Sequence, residues 1–197
     1  MDNRLLNLCR KKQYNTDKYY QPGRNWNPKI INDGGHPYVE HFYFKHFERN
    51  AFKAKNLLEI GTYEGGSALM WRDYMPNATI TTVDLNYAQA LHNQERIVQV
   101  IANAYDQSFI DLLKDSYYDY IIDDGSHLLA HMELVIQKYL TKLNDTGVLV
   151  IEDISDIQWA RKMFESIPEE LKNYSTLYDL REVNDRYDDI AIVIDRG

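Results

Sequence analysis

The chain has 197 residues, 44% hydrophobic and 13% aromatic, enough to bury one full core and most simply organised as one domain. Its net charge of −8 and pI near 5.2 exclude nonspecific nucleic-acid binding, whose affinity comes from Lys and Arg neutralising phosphate, and favour a small polar substrate. No apolar run approaches the roughly 20 residues that span a bilayer, the polar start MDNRLLNLCRKKQ lacks the apolar core of a signal peptide, and the single cysteine, Cys9, excludes an internal disulfide and a thiolate zinc site, so a soluble, cytoplasmic protein is expected.

Residues 1–36 are polar, with Pro22-Gly23, Asn27-Pro28 and Gly34-Gly35 breaking any long helix, and read as an arm or lid ahead of a core at 37–197. Tyr38, Phe42, Tyr43 and Phe47 recur near helical spacing, predicting a helix from about Pro37 to Arg49 whose aromatic stripe packs on a sheet. From Asn56 the pattern alternates. Short apolar runs at Leu57–Gly61, Thr79–Asp84, Ile97–Ile101, Tyr118–Asp123 and Gly147–Glu152 predict buried parallel strands. Helical candidates lie between and after them, at Gly66–Tyr74, Tyr87–His92, Ser108–Asp115, His127–Leu143 and Asp156–Ser166. Such alternation predicts right-handed βαβ units. Ser175–Arg181 and Asp189–Ile194 complete the chain as a strand pair joined through Glu182–Asp188, close enough to be antiparallel. The acidic run Asp185–Asp189 reads as a solvated connection without a catalytic role.

Four strand ends carry chemistry. After the first strand, Glu59-Ile60-Gly61-Thr62-Tyr63-Glu64-Gly65-Gly66-Ser67 supplies a glycine turn and a helix start, where backbone amides face a ligand. Asp84 ends the next strand, the place for an acid that accepts from ribose hydroxyls. Tyr63 stands where a dinucleotide fingerprint has its second glycine, so the turn suits a nucleoside carrying an amino acid better than a pyrophosphate. Asp123-Asp124-Gly125-Ser126-His127 and Glu152-Asp153 end two further strands and place hard oxygen donors at the same sheet edge. His127, three residues after Asp124, is a candidate proton acceptor, since imidazole titrates near neutral pH. His131 lies one helical turn later and could second it, although a surface position is the commoner case; His36, His41, His46 and His92 have no carboxylate-rich partner in sequence and read as structural.

Glu59–Ser67, Trp71-Arg72-Asp73-Tyr74 and Asp84 resemble the cofactor half of a class I S-adenosylmethionine-dependent methyltransferase. Asp123–His127, Glu152-Asp153, Thr16-Asp17-Lys18 and His36-Pro37-Tyr38 narrow the resemblance to metal-dependent macrolide deoxysugar O-methyltransferases and the cephalosporin-hydroxylase-like group. It covers about Asn15 to Ile154, and departs from those families at Ala102-Asn103-Ala104-Tyr105-Asp106. It implies an α/β, Rossmann-like class I methyltransferase fold: a seven-stranded, mostly parallel sheet with an antiparallel closing strand and helices on both faces, in a single domain over 1–197. It implies S-adenosylmethionine bound by Thr16, Lys18, Glu59, Gly61, Tyr63, Gly65, Ser67, Asp84, Leu85, Asn103 and Asp123. It further implies magnesium, or manganese or calcium, on Asp124, Glu152 and Asp153, with His127 as general base beside Asp124.

The expected function is therefore O-methylation of a hydroxyl on a sugar or glycoconjugate. A catechol or other vicinal diol as acceptor, and a non-catalytic S-adenosylmethionine-binding partner protein, are the alternatives; an oxidoreductase is disfavoured by the missing second glycine. The expected partner is a small-molecule or glycan acceptor, with no nucleic acid and no membrane, and a homodimer remains open. The richness in Asn, Tyr, Lys and Ile fits an A+T-rich genome, bacterial or viral.

Overall fold

In the computed structural model, which describes residues 2–24 and 34–197, the chain forms a seven-stranded sheet in the order β3-β2-β1-β4-β5-β7-β6. The strands are β1 (Asn56–Ile60), β2 (Thr79–Asp84), β3 (Ile97–Ile101), β4 (Tyr118–Asp123), β5 (Leu143–Ile151), β6 (Ser175–Asp179) and β7 (Ile190–Asp195). β1 to β5 are parallel, and β7 runs antiparallel to both β5 and β6. The Asn27-Pro28 turn lies outside the described residues.

Side chains alternate across each strand, so the sheet buries two faces. One face, with Leu57, Ile80, Tyr120, Val148 and Val193, packs against Trp71 of α3 (Gly66–Tyr74) and against Tyr43 and Phe47. The other, with Leu58, Ile121, Leu149 and Ile192, packs against Met132 and Val135 of α5 (Leu129–Tyr139) and Met163 of α6 (Ile157–Ser166).

Several elements differ from the sequence pattern. The N-terminal segment is not a solvated arm: α1 (Arg4–Lys12) is capped by Asn3, whose side chain accepts from Leu6 N–H, and buries Leu5 and Cys9 completely on the first face. The aromatic helix begins as a π-helical turn, Val39–Tyr43, and continues as α2 (Phe44–Phe47). The wider turn adds a residue per turn and lets Tyr38, Phe42, Tyr43 and Phe47 all face inward, each 0% exposed. Tyr87–His92 contains only a 3₁₀ turn, Gln89–Leu91, and Ser108–Asp115 shrinks to α4 (Gln107–Ile110). The helix expected to run to Leu143 stops at Tyr139, because Leu143 already opens β5 beside Tyr118. Two further single-turn helices, α7 (Glu169–Lys172) and α8 (Arg181–Asn184), flank β6.

The register assembles the site. Val83, Ile60, Asp123 and Ile151 lie side by side across β2, β1, β4 and β5. The next residues, Asp84, Gly61, Asp124 and Glu152, therefore emerge at one edge. β1 and β4 also mark the point where strand order reverses, the usual ligand crevice of an open α/β sheet.

Candidate active site

A cavity of about 740 Å³ opens at this edge. It is lined by the β1 turn (Gly61, Thr62, Tyr63, Gly66, Ser67), by Asp84 and Leu85 after β2, by Asn103 to Tyr105 after β3, by Asp124 to His127 after β4, by Asp153, and by Asn15 to Asp17 of the N-terminal segment. Four lining residues have left-handed backbone: Gly61 (φ +89°), Tyr63 (+46°), His127 (+55°) and Asp153 (+58°). Non-glycine residues in that region cost energy and cluster at functional sites. A Cβ on Gly61 would overlap the Asp124 carbonyl, and one on Gly66 would overlap the Asn15 carbonyl. Glycine thus lets the β4 turn and the N-terminal segment close onto the β1 turn.

On the β1–β2 side, Asp84 accepts from the backbone N–H of Thr62 (2.9 Å) and Tyr63 (3.2 Å) through Oδ2, and from Asn86 (2.8 Å) through Oδ1. Burial pushes its carboxyl pKa up, but these amides outweigh that and hold it below the ordinary value. Asp84 thereby ties its own strand end to the glycine turn. Tyr63 and Leu85 are strongly exposed beside it. Asn103 lines the wall, its side chain engaged with Asp106 and the Tyr105 N–H. Thr16 lines the opposite wall.

Four residues assigned to the cofactor by resemblance lie outside the lining. Glu59 is fully buried beneath the turn, accepting from Ser67 Oγ (3.0 Å) and Trp71 Nε1 (2.9 Å), and burial raises its pKa to about 7. Gly65 caps α3 and packs on Leu91. Asp123 is buried with its pKa pushed up to about 6 by burial, and accepts from Tyr105 OH (2.7 Å). Lys18 is buried, donating to Asp124 Oδ2 (2.6 Å) and to Glu152 Oε1. Burial alone would strip its proton, yet Asp124, Glu152 and Glu59 prevail and hold its pKa well above the ordinary lysine value.

This ammonium divides the three expected metal ligands. Glu152 faces Lys18 and accepts from Tyr43 OH, whereas ligand atoms of Asp124, His127 and Asp153 lie within 4.8 Å of one another at the cavity. Two carboxylates at that spacing fit a hard divalent cation completed by oxygen ligands from outside the chain, with the His127 imidazole beside it. His127 Nε2 is 3.9 Å from Asp124 Oδ1.

Two residues, His36 and Asp189, contradict their sequence reading. His36, without a carboxylate partner in sequence, is buried among carboxylates in space: Nδ1–H donates to Asp189 (2.5 Å), and Nε2 lies 3.4 Å from both Asp17 and Asp153 and 2.8 Å from Arg186 Nη2. Asp189 is 0% exposed, so the acidic run before β7 is not wholly solvated. His131 is a cavity residue, bonded to Ser126 Oγ (2.7 Å) and stacked on Tyr105 at 4.0 Å. Tyr38, Tyr43 and Tyr105, which the functional reading of the sequence left out, all hold site carboxylates.

The sheet order, the glycine turn at its switch point and the acid ending β2 are those of the class I methyltransferase fold. Residues 58–154 match the family described as a methyltransferase domain. Among its relatives, the 8-demethyl-8-alpha-L-rhamnosyl tetracenomycin-C 2'-O-methyltransferase of Streptomyces olivaceus is 31% identical over 126 residues, 59% of this chain and 33% of that one. The mycinamicin VI 2''-O-methyltransferase of Micromonospora griseorubida is 28% identical over 149 residues, 68% and 37% respectively. The chain thus spans about a third of the length of these relatives. Among solved structures, the MycE methyltransferase of the mycinamycin biosynthetic pathway, in complex with Mg and SAH, superposes with a TM-score of 0.63 at 20% identity, over 82% of this chain and 50% of that one. Spermidine synthase from Thermotoga maritima superposes at 0.59 with 18% identity, over 87% and 67%. Such likenesses establish the fold, and the second shows that the fold alone does not choose the reaction.

Proposed function

We propose that the chain is an S-adenosylmethionine- and magnesium-dependent O-methyltransferase acting on a hydroxyl of a sugar or glycoconjugate. The observation that carries the reading is convergence: Asp124, His127 and Asp153 meet at the cavity that also presents the Gly61 turn and Asp84. The relatives named as methyltransferases of glycosylated polyketides support the acceptor class.

In this reading Asp84 accepts from the ribose of the methyl donor, and the Gly61 turn faces its amino acid portion. Asp124 and Asp153 would hold the cation, which when bound lowers the pKa of an acceptor hydroxyl and orients its neighbour. His127 takes the hydroxyl proton at Nε2 as the oxygen forms its bond to the methyl carbon and the carbon–sulfur bond breaks. The walls contribute chiefly by holding the two reactants in line. Net charge and a carboxylate-lined mouth favour a small neutral glycoside over a nucleic acid.

The test is transfer of labelled methyl from S-adenosylmethionine to a panel of nucleotide sugars, glycosides and catechols, with magnesium, with chelator, and with magnesium restored. Magnesium-dependent label on a sugar hydroxyl is expected. Label on catechols alone would move the acceptor class, and donor binding with no transfer to any hydroxyl would make the chain a non-catalytic binder.

A further inference from the structure

We propose that Tyr38 is a positioning residue for the cation site, fixing the Asp153 carboxylate from behind. The inference rests on the reading of Asp124, His127 and Asp153 as cation-facing groups. Asp153 is a non-glycine residue at φ +58°, directly after β5, and such a conformation persists only where neighbours over-determine it. Tyr38 supplies two of those constraints with one oxygen: its phenol donates to Asp153 Oδ1 (2.7 Å) and accepts from the Asp153 backbone N–H (3.3 Å). One side-chain atom thus clamps both the peptide and the carboxylate of the same residue.

The clamp is itself rigid. Tyr38 is 0% exposed, its ring stacks on His36 at 4.6 Å and 18° and contacts Phe42 at 5.0 Å, and the π-helical turn that follows it delivers this face toward the sheet edge. His36 is fixed in turn by Asp189 and Arg186. A phenol is un-ionised at neutral pH, so its proton is available to donate. With Oδ1 engaged by Tyr38, the carboxylate presents Oδ2 as its free acceptor. Without the hydroxyl, Oδ1 keeps only its longer contact to His36 Nε2, 3.4 Å away, and the aim of the carboxylate is loosened. Packing does not need the hydroxyl, because a phenylalanine ring fills the same volume. Outer partners of metal ligands are worth about 10–100-fold in metal affinity when removed.

The experiment is a Mn²⁺ titration of the metal-free protein, followed by electron paramagnetic resonance, on wild type, Tyr38→Phe, Asp153→Asn and Asp124→Asn. Calorimetric binding of S-adenosylhomocysteine and a circular-dichroism melt accompany each. Tyr38→Phe is expected to weaken Mn²⁺ about 10-fold or more, leaving the fold and S-adenosylhomocysteine affinity near wild type. In turnover it should raise the magnesium concentration needed for half activation while the rate at saturating magnesium recovers. Wild-type Mn²⁺ affinity in Tyr38→Phe, with Asp153→Asn impaired, overturns the role of Tyr38. Wild-type Mn²⁺ affinity in both Asp124→Asn and Asp153→Asn overturns the cation site itself, and the proposal with it.

Discussion

Replacing Lys18 by methionine keeps an unbranched apolar stem one atom shorter and removes the ammonium with its hydrogen bonds to Asp124 and Glu152. The Lys18 and Glu152 side chains are 1% and 2% exposed and Asp124 is 24% exposed, so the vacated charge is replaced poorly by water. Removing one partner of a buried ion pair costs about 3–5 kcal/mol, mostly the penalty of stranding the opposite charge. For a chain of this size each kcal/mol shifts the melting temperature by about 2–4 °C, so Lys18→Met should melt roughly 6–20 °C below wild type in metal-free buffer. Adding Glu152→Gln removes the stranded carboxylate and should recover most of the loss. Magnesium should also stabilise the single variant more than wild type, because a cation then replaces the missing ammonium. Melts followed by circular dichroism decide the matter. A single variant within about 2 °C of wild type would refute the claim that this ammonium neutralises the carboxylates, since even one kcal/mol exceeds that shift.

Asp84→Ala should weaken S-adenosylhomocysteine by about 1–3 kcal/mol in calorimetry, because ribose hydroxyls and the turn amides lose a charged acceptor. Because the folded pKa of Asp84 is depressed, its stabilising contribution is present above its unfolded value and is lost as pH falls through the folded one. The stability gap between wild type and Asp84→Asn should therefore hold at neutral pH and narrow below about pH 4 in urea titrations, where the unfolded aspartate protonates. His127→Ala should slow single-turnover methyl transfer by about 10²–10⁴-fold at unchanged donor affinity; a near-wild-type rate would leave this histidine outside proton transfer. Gly61→Ala, strained at φ +89° and pressed on the Asp124 carbonyl, should weaken both S-adenosylhomocysteine and Mn²⁺, and loss of only one would separate the two turns.

The parts of the site that were legible in the sequence are those written at strand ends. Apolar runs closing on Gly61, Asp84, Asp124 and Glu152 fix the edge, because parallel register carries adjacent strand ends to one level. The partners of those groups were not legible. Lys18 meets carboxylates 106 and 134 positions away, and His36 meets Asp189 at a separation of 153, distances over which periodicity holds no information. α1 escaped notice because its fully buried face is only Leu5 and Cys9 among charged neighbours. The opening of β5 escaped because Asn144, Asp145, Thr146 and Gly147 are turn-forming residues that stand in an irregularity between the Tyr118–Leu143 and Tyr120–Val148 pairs. In the acidic run before β7, composition signalled solvent, and the tertiary partner His36 overrode it.

The long separation between Lys18 and its carboxylates has a consequence for biosynthesis. The ammonium leaves the ribosome 106 residues ahead of Asp124 and 134 ahead of Glu152. Until then Lys18 has no buried partner, and a lysine cannot be buried alone without great cost. The N-terminal segment must therefore stay hydrated while β1 to β4 assemble, and it docks only once β5 has delivered Glu152. Closing so long a loop is entropically slow. Ligand competence during translation should thus arrive as a single late event rather than accumulate strand by strand.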